Sequence, residues 1–240
     1  MIKFRQINDN NPALACSPMV RALEKTFAYI AEHGSIELTP SKAFKRKFVH
    51  WAAREFDWPG YTEADLFAIN KVLNEIDFRP LMDLHDLMIA LKIGRHYKGA
   101  FKLTKQGQSL VDKPGQIFGI VTPFYLFEVD HMRFSQINTE PVPGNWDIFL
   151  NVLNVEAENG ATGARIRRVL FGEPASSTNI YMMNYFYVQV LRPLCRTGLL
   201  DQQAGTDRFS MEDEKFTKTP LWKAALELGT DAMVRQSAQD

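Results

Sequence analysis

Residues 91–107, LKIGRHYKGAFKLTKQG, run through a glycine, a short strand-like piece, the turn pair Lys98-Gly99, a second strand-like piece and a Leu103-Thr104 corner. A Lys-Gly pair between two such pieces reads as a tight hairpin turn. A threonine ending the second strand can cap the free N–H groups of a helix that begins at once. The same corner is read at Leu38-Thr39, within ELTPSKAF from Glu37, and at Phe216-Thr217, within KFTKTPLW from Lys215. A chain punctuated in this way is expected to set small hairpins among helices.

The helices have their own signals. Ser17 as N-cap, Pro18 at the first helical position and Gly34 as the stop bound a helix with Met19, Leu23, Phe27 and Ile30 on one face. A short extended piece is expected at 36–38, followed by a helix over 41–56 carrying Phe44, Phe48, Trp51 and Phe56. Thr62 with Asp65 three residues on predicts a capped helix over 62–76, with Leu66, Ile69, Leu73 and Ile76 as its stripe. A further helix carries Leu84, Leu87 and Leu91 and stops at Gly94. In the second half, helices are expected over 146–158, over 162–172 between Thr162 and Gly172, and through a long apolar stretch ending at Gly198. A longer hairpin and a closing helix follow.

The second half thus repeats the order of the first, pairing KLTKQG with KFTKTP and LMIALKIG with LRPLCRTG. The Pro- and Gly-containing segment NTEPVPGN is the candidate linker, which sets domains at 1–135 and 136–240. The fold class expected is mainly α with short β-hairpins.

Helix, helix, two-stranded hairpin, ending in an LTxxG-type corner, resembles the winged helix-turn-helix superfamily. The resemblance implies two tandem winged-helix-like domains. The segment LTPSKAFKRKFV together with LTKQG is also similar to a group of uncharacterised, plasmid-borne bacterial proteins. In the superfamily, basic residues of the wing and its neighbours hold DNA phosphates. Carried over to this chain, the DNA-binding candidates are Lys42, Lys45, Arg46, Arg95, Lys98, Lys102, Lys105, Arg165, Arg167 and Arg168.

Charge distribution bears on that expectation. Net charge is zero, yet residues 1–113 hold 17 Lys+Arg against 13 Asp+Glu and the remainder 11 against 15, so the first half is the basic one. No acidic residue lies between Leu87 and Val111, which gives the first hairpin a uniformly positive setting. The helices expected to read bases are poorly equipped for it. The first is expected to expose Asp83, His85 and Asp86, and the second, over 180–194, is apolar almost all round.

The function expected is therefore a non-catalytic DNA-associated transcriptional regulator that grips phosphates through a basic wing. The alternative is an interaction scaffold, a homodimer or a complex with another protein, formed through Tyr181, Met182, Tyr185 and Phe186. Neither a phosphate loop nor a nucleophile elbow is present, and the histidines lack metal-binding spacing and read as surface or capping residues, so no enzyme, metal or cofactor is expected. The most apolar run, 117–127, is about half of a membrane span and reads as core. Two cysteines without paired spacing and no signal-peptide pattern make a cytoplasmic location the expectation.

Overall fold

A computed structural model describes residues 2–133, 142–172, 184–205 and 213–237. It is mainly helical with short antiparallel strands, and the chain divides into two compact units. One is Asn8–Val121; the other joins Met1–Ile7 to Thr122–Asp240.

The N-terminal unit opens with a 3-10 turn, Pro12–Cys16, and helix α1 (Pro18–His33), capped by Ser17 and closed by Gly34 as the sequence predicts. Strand β2 (Ile36–Glu37), helix α2 (Arg46–Glu55) and helix α3 (Glu63–Ile69) follow. After a 3-10 turn, Glu75–Asp77, come α4 (Arg79–Ala90), β3 (Gly94–Tyr97), β4 (Ala100–Leu103) and α5 (Lys105–Ser109). The three strands form an antiparallel sheet in the order β2-β4-β3. Phe101 lies at its centre, opposite Ile36 on one side and His96 on the other, and is fully buried.

The C-terminal unit repeats this plan. Helix α6 (Pro114–Phe127) runs through the dividing point, and α7 (Trp146–Glu156), β5 (Ala161–Thr162) and α8 (Gly163–Phe171) follow. A π-helical stretch, Tyr187–Leu191, then leads into α9 (Arg192–Thr197), β6 (Leu200–Gln203), β7 (Lys215–Lys218) and α10 (Pro220–Ala225). The sheet order is β5-β7-β6, and the buried Phe216 sits between Ala161 and Gln202 as Phe101 sits in the first sheet. The polar centre of this unit is the buried Asn154. Its side-chain oxygen accepts from Trp222 Nε1 (3.0 Å) and Lys218 Nζ (3.0 Å), and its amide donates to Asp231 (2.9 Å).

The two hairpins hang from the same set of bonds. In the first, the Thr104 N–H donates to Ile93 O (3.0 Å), its hydroxyl to Lys92 O (2.6 Å), and its oxygen accepts from the Gly107 N–H (3.1 Å). In the second, the Thr219 N–H donates to Leu199 O (3.1 Å), its hydroxyl to Gly198 O (2.6 Å), and its oxygen accepts from the Leu221 N–H (3.1 Å). Lys92 and Gly198 occupy the same left-handed position, φ 55° and 81°. Glycine takes that conformation without strain and lysine does not.

Several sequence expectations need correction. The second corner is Thr219, not Phe216-Thr217, because Thr217 is a strand residue opposite Asp201. Leu38-Thr39 begins a turn instead of a helix. The Ala43 N–H bonds to Thr39 Oγ1 (3.1 Å), Leu38 bridges Phe44, and α2 waits until Arg46. Helix α3 carries the expected capping box but ends at Ile69 because Asn70 turns extended, leaving Ile69 and Ile76 exposed. Helix α4 ends at Ala90, with Leu91 as its C-cap, and Gly94 is the first strand residue.

Contacts within the chain divide it at Val121/Thr122, inside α6, while the boundary expected from the sequence follows residue 135. Residues 1–7 go with the C-terminal unit because β1 (Lys3–Phe4) pairs with β8 (Leu226–Glu227), which follows α10 directly. The first half of the expected linker, residues 138–141, lies outside the described residues. Helix α11 (Asp231–Ser237) is the last element described. Among the described residues, no helix is long and apolar enough to cross a membrane.

Candidate functional site

Two neighbouring features of the N-terminal unit carry most of the candidate residues. The first is the β3–β4 hairpin. Lys98 (φ 48°) and Gly99 (φ 74°) are both left-handed, as a two-residue turn matched to strand twist requires. The pleat then sorts the side chains: Gly94, His96, Phe101 and Leu103 share the inner face, and Arg95, Tyr97, Ala100 and Lys102 share the outer one. Arg95 and Lys102 stand directly opposite each other. Like charges in that position repel unless an anion lies between them. The Arg95 guanidinium and the Lys98 ammonium each lie 5.4 Å from the centre of the Tyr97 ring, which spreads the cationic surface over an aromatic plate. Lys105, exposed at the first position of α5, continues it.

The second feature is an open cleft of about 1110 Å³ between the 39–47 segment, the 74–76 turn, α4 and His96. Its rim carries Lys42, Lys45, Arg46 and Lys47; its floor is apolar, with Phe44, Met82 and Ile89. Lys45 bonds to Glu37 (2.9 Å), which holds the Glu37 carboxyl below its usual range, and Arg46 Nε donates to Asn74 (2.9 Å).

Beneath the floor runs a polar chain that the sequence reading missed, buried at Glu75 and His85 and reaching the surface at His96. Glu75 accepts from the Phe44 N–H (2.7 Å) and from His85 Nδ1 (2.6 Å); His85 Nε2 meets His96 Nε2 at 2.8 Å. The proton order that satisfies every atom has His85 donating from Nδ1 to the carboxylate and accepting at Nε2 from His96. Phe44 stacks on His85 at 3.9 Å. Partial desolvation, then the neighbouring His85 and Lys42, hold the His96 imidazole below its ordinary value of 6.5. His85 was expected on the exposed face of α4, yet it shares the inward stripe of Leu81, Leu84 and Met88, and that spacing was the available signal. The exposed face of α4 ends instead in Asp86, Ile89 and Ala90.

The other candidates are scattered. Arg165 bonds to Glu156 at 2.5 Å, and Arg168 is exposed on α8. Arg167 is 5% exposed, on the buried side of α8 with Ile166, and so cannot meet a phosphate. Phe186 is also buried, edge-on to Phe149 and Phe171 at 5.5 Å each, which makes it a core residue instead of an interface one. Tyr185 is half-buried; Tyr181 and Met182 lie outside the described residues. No group of three or more His, Cys, Asp or Glu able to hold a metal ion occurs among the described residues.

Comparison with known proteins places this arrangement. A family model described as the Y4jL N-terminal domain matches residues 15–116, and one described as the y4jL C-terminal domain matches residues 135–220. An uncharacterized protein y4jL from Sinorhizobium fredii (strain NBRC 101917 / NGR234) is 37% identical over 148 residues, 62% of this chain and 67% of that protein. The chain belongs to the Y4jL family. The N-terminal family match encloses the hairpin and the cleft, and the C-terminal one runs through Thr219 to the start of α10. The expected kinship with uncharacterised bacterial proteins stands. No solved structure matches the chain.

Proposed function

We propose that both units are winged helices and that the protein is a DNA-associated regulator, without catalytic activity, acting in the cytoplasm. The support for the fold is the order helix, strand, helices, hairpin with the first strand beside the last, found in both units, the N-terminal one having the extra helix α3 between α2 and α4. The observation that carries the function is the Arg95–Lys102 pair, two cations opposite each other on a hairpin face that carries no carboxylate of its own. A phosphate between them relieves the repulsion and ties the wing to the duplex backbone. Lys98 and Lys105 extend the same grip.

Helix α4 offers Asp86, Ile89 and Ala90 where base edges require donors and acceptors, so binding through this unit is to the backbone, with little choice of sequence. The scaffold alternative draws no support from the buried Phe186.

A gel-shift titration on a short duplex over a salt series tests the proposal. Binding should weaken steeply as salt rises, and Lys98→Glu with Lys102→Glu should abolish it while thermal unfolding is unchanged. A duplex that fails to shift at low salt, or one bound equally by the double variant, refutes it.

A further inference from the structure

We propose that the cleft beside α4 is the docking site for an acidic, amphipathic helical segment of a partner protein. This goes beyond the DNA proposal, because it uses a different surface and a different chemistry.

Size is the first argument. At about 1110 Å³ the cleft exceeds the roughly 300–1,000 Å³ usual for small-molecule pockets. It is also open, since Ile76 and Ile89 in its lining are 70% and 37% exposed. A small ligand would leave most of that apolar surface wet, whereas an amphipathic helix laid along it covers the surface with residues at i, i+3 and i+7 spacing.

Charge is the second. Lys42, Lys45, Arg46 and Lys47 crowd the start of α2, which has no acidic residue in its first turn and no side-chain cap. Glu37 already answers Lys45 (2.9 Å), but Lys42, Arg46 and Lys47 remain crowded near the positive end of a helix dipole, and carboxylates arriving from outside relieve them. The acidic residues of the lining are Asp86 on the α4 side and Glu75, which is buried and bonded to Phe44 and His85.

Backbone conformation is the third. Lys42 is left-handed at φ 68°, closing the turn in which its N–H bonds to Thr39 O (2.9 Å). Glycine would hold that turn with less strain, so the lysine side chain is maintained at the rim against a local cost. The Glu75–His85–His96 chain fixes the floor below by tying the 44 segment, the 75 turn, α4 and β3 together.

The test uses the full chain and a labelled helical peptide of about 16 residues, with leucines at i, i+3, i+7 and i+10 and glutamates on the flanks. Its controls replace every glutamate with lysine or every leucine with serine. Fluorescence anisotropy at physiological salt should give the acidic peptide at least about tenfold tighter binding than either control. Amide shifts should cluster at Lys42, Ile76, Ile89 and His96. Ile89→Asp should weaken binding about tenfold or more, and Lys42→Gly about threefold or more with an unchanged or higher melting temperature. The Lys98→Glu/Lys102→Glu variant should bind the peptide normally, which separates this site from the wing. Equal binding of the lysine twin, shifts mapping elsewhere, no binding at millimolar peptide, or loss of binding in the wing variant would each overturn the proposal.

Discussion

Glu75→Ala is the sharpest test of the N-terminal unit's architecture. The carboxylate is buried and accepts two hydrogen bonds, from the Phe44 N–H at 2.7 Å and His85 Nδ1 at 2.6 Å. Hydrogen bonds to a charged group contribute about 1.5–3 kcal/mol each, and a buried donor left without an acceptor costs about 1–3 kcal/mol. The open cleft lets water reach the vacated position, which offsets part of the loss, so the expected destabilisation is about 2–4 kcal/mol. Glu75→Gln keeps one acceptor, and the His85 ring can change tautomer to accept from the new amide, so its cost should be about 1–2 kcal/mol.

Amide hydrogen exchange of α4 is the suitable assay, because it reports the opening of this unit whatever the other does. Protection at Leu84, Leu87 and Met88 should fall by about 30- to 1,000-fold in Glu75→Ala and less in Glu75→Gln. Protection within about twofold of wild type in Glu75→Ala would show that the buried chain is ornamental and would refute the reasoning.

Other expectations are simpler to state. Thr219→Ala removes the cap of α10 and its bond to Gly198 O and should cost about 1–2 kcal/mol, whereas Thr217→Ala should cost under about 0.5 kcal/mol; urea unfolding with the reverse order would contradict the strand register. A Cβ at Gly94 would lie 2.0 Å from the Phe101 ring, so Gly94→Ala should cost about 3 kcal/mol or more, read as a lowered melting temperature. Because the fold holds His96 below 6.5, the unfolded chain binds its proton more readily. The related stability is whole above 6.5 and drains away as pH falls through the lower native value. His96→Gln should flatten that acid limb in a circular-dichroism titration; an unaltered profile would show that another group causes it.

Local punctuation made much of the fold legible. Ser17 with Pro18, the Thr62–Asp65 box, Thr104, Thr162 and Gly198 all act as their types suggest, because each satisfies backbone groups within a few residues of itself. The corner at 216–219 slipped for an equally physical reason. KFTKT offers two threonines two residues apart, a strand repeats its faces every two residues, and burial of Phe216 is satisfied by either choice. Pro220, which suits the first helical position, is the signal that favours Thr219.

Spacing also misled in the 41–76 region. Phe44 and Phe48 are four apart, as in a helix, but Phe44 is a loop residue held by Leu38 and Glu75. Ile69 and Ile76 fit a helical stripe that the extended Asn70 interrupts. The Glu75–His85–His96 chain joins residues 10 and 11 positions apart on three different elements, and only tertiary packing brings them within reach.

The matched hairpin corners have an engineering consequence. The first wing closes with Lys98-Gly99 after the Tyr97–Ala100 pair, and the second leaves its ladder at the Gln203–Lys215 pair. Since a threonine anchors each ladder at its far corner, turn length is set apart from the frame that carries it. Glu214 still belongs to that frame, because its carbonyl accepts from the Gly163 N–H (2.9 Å), so any graft of the short Lys-Gly turn onto the second wing has to leave Glu214 in place.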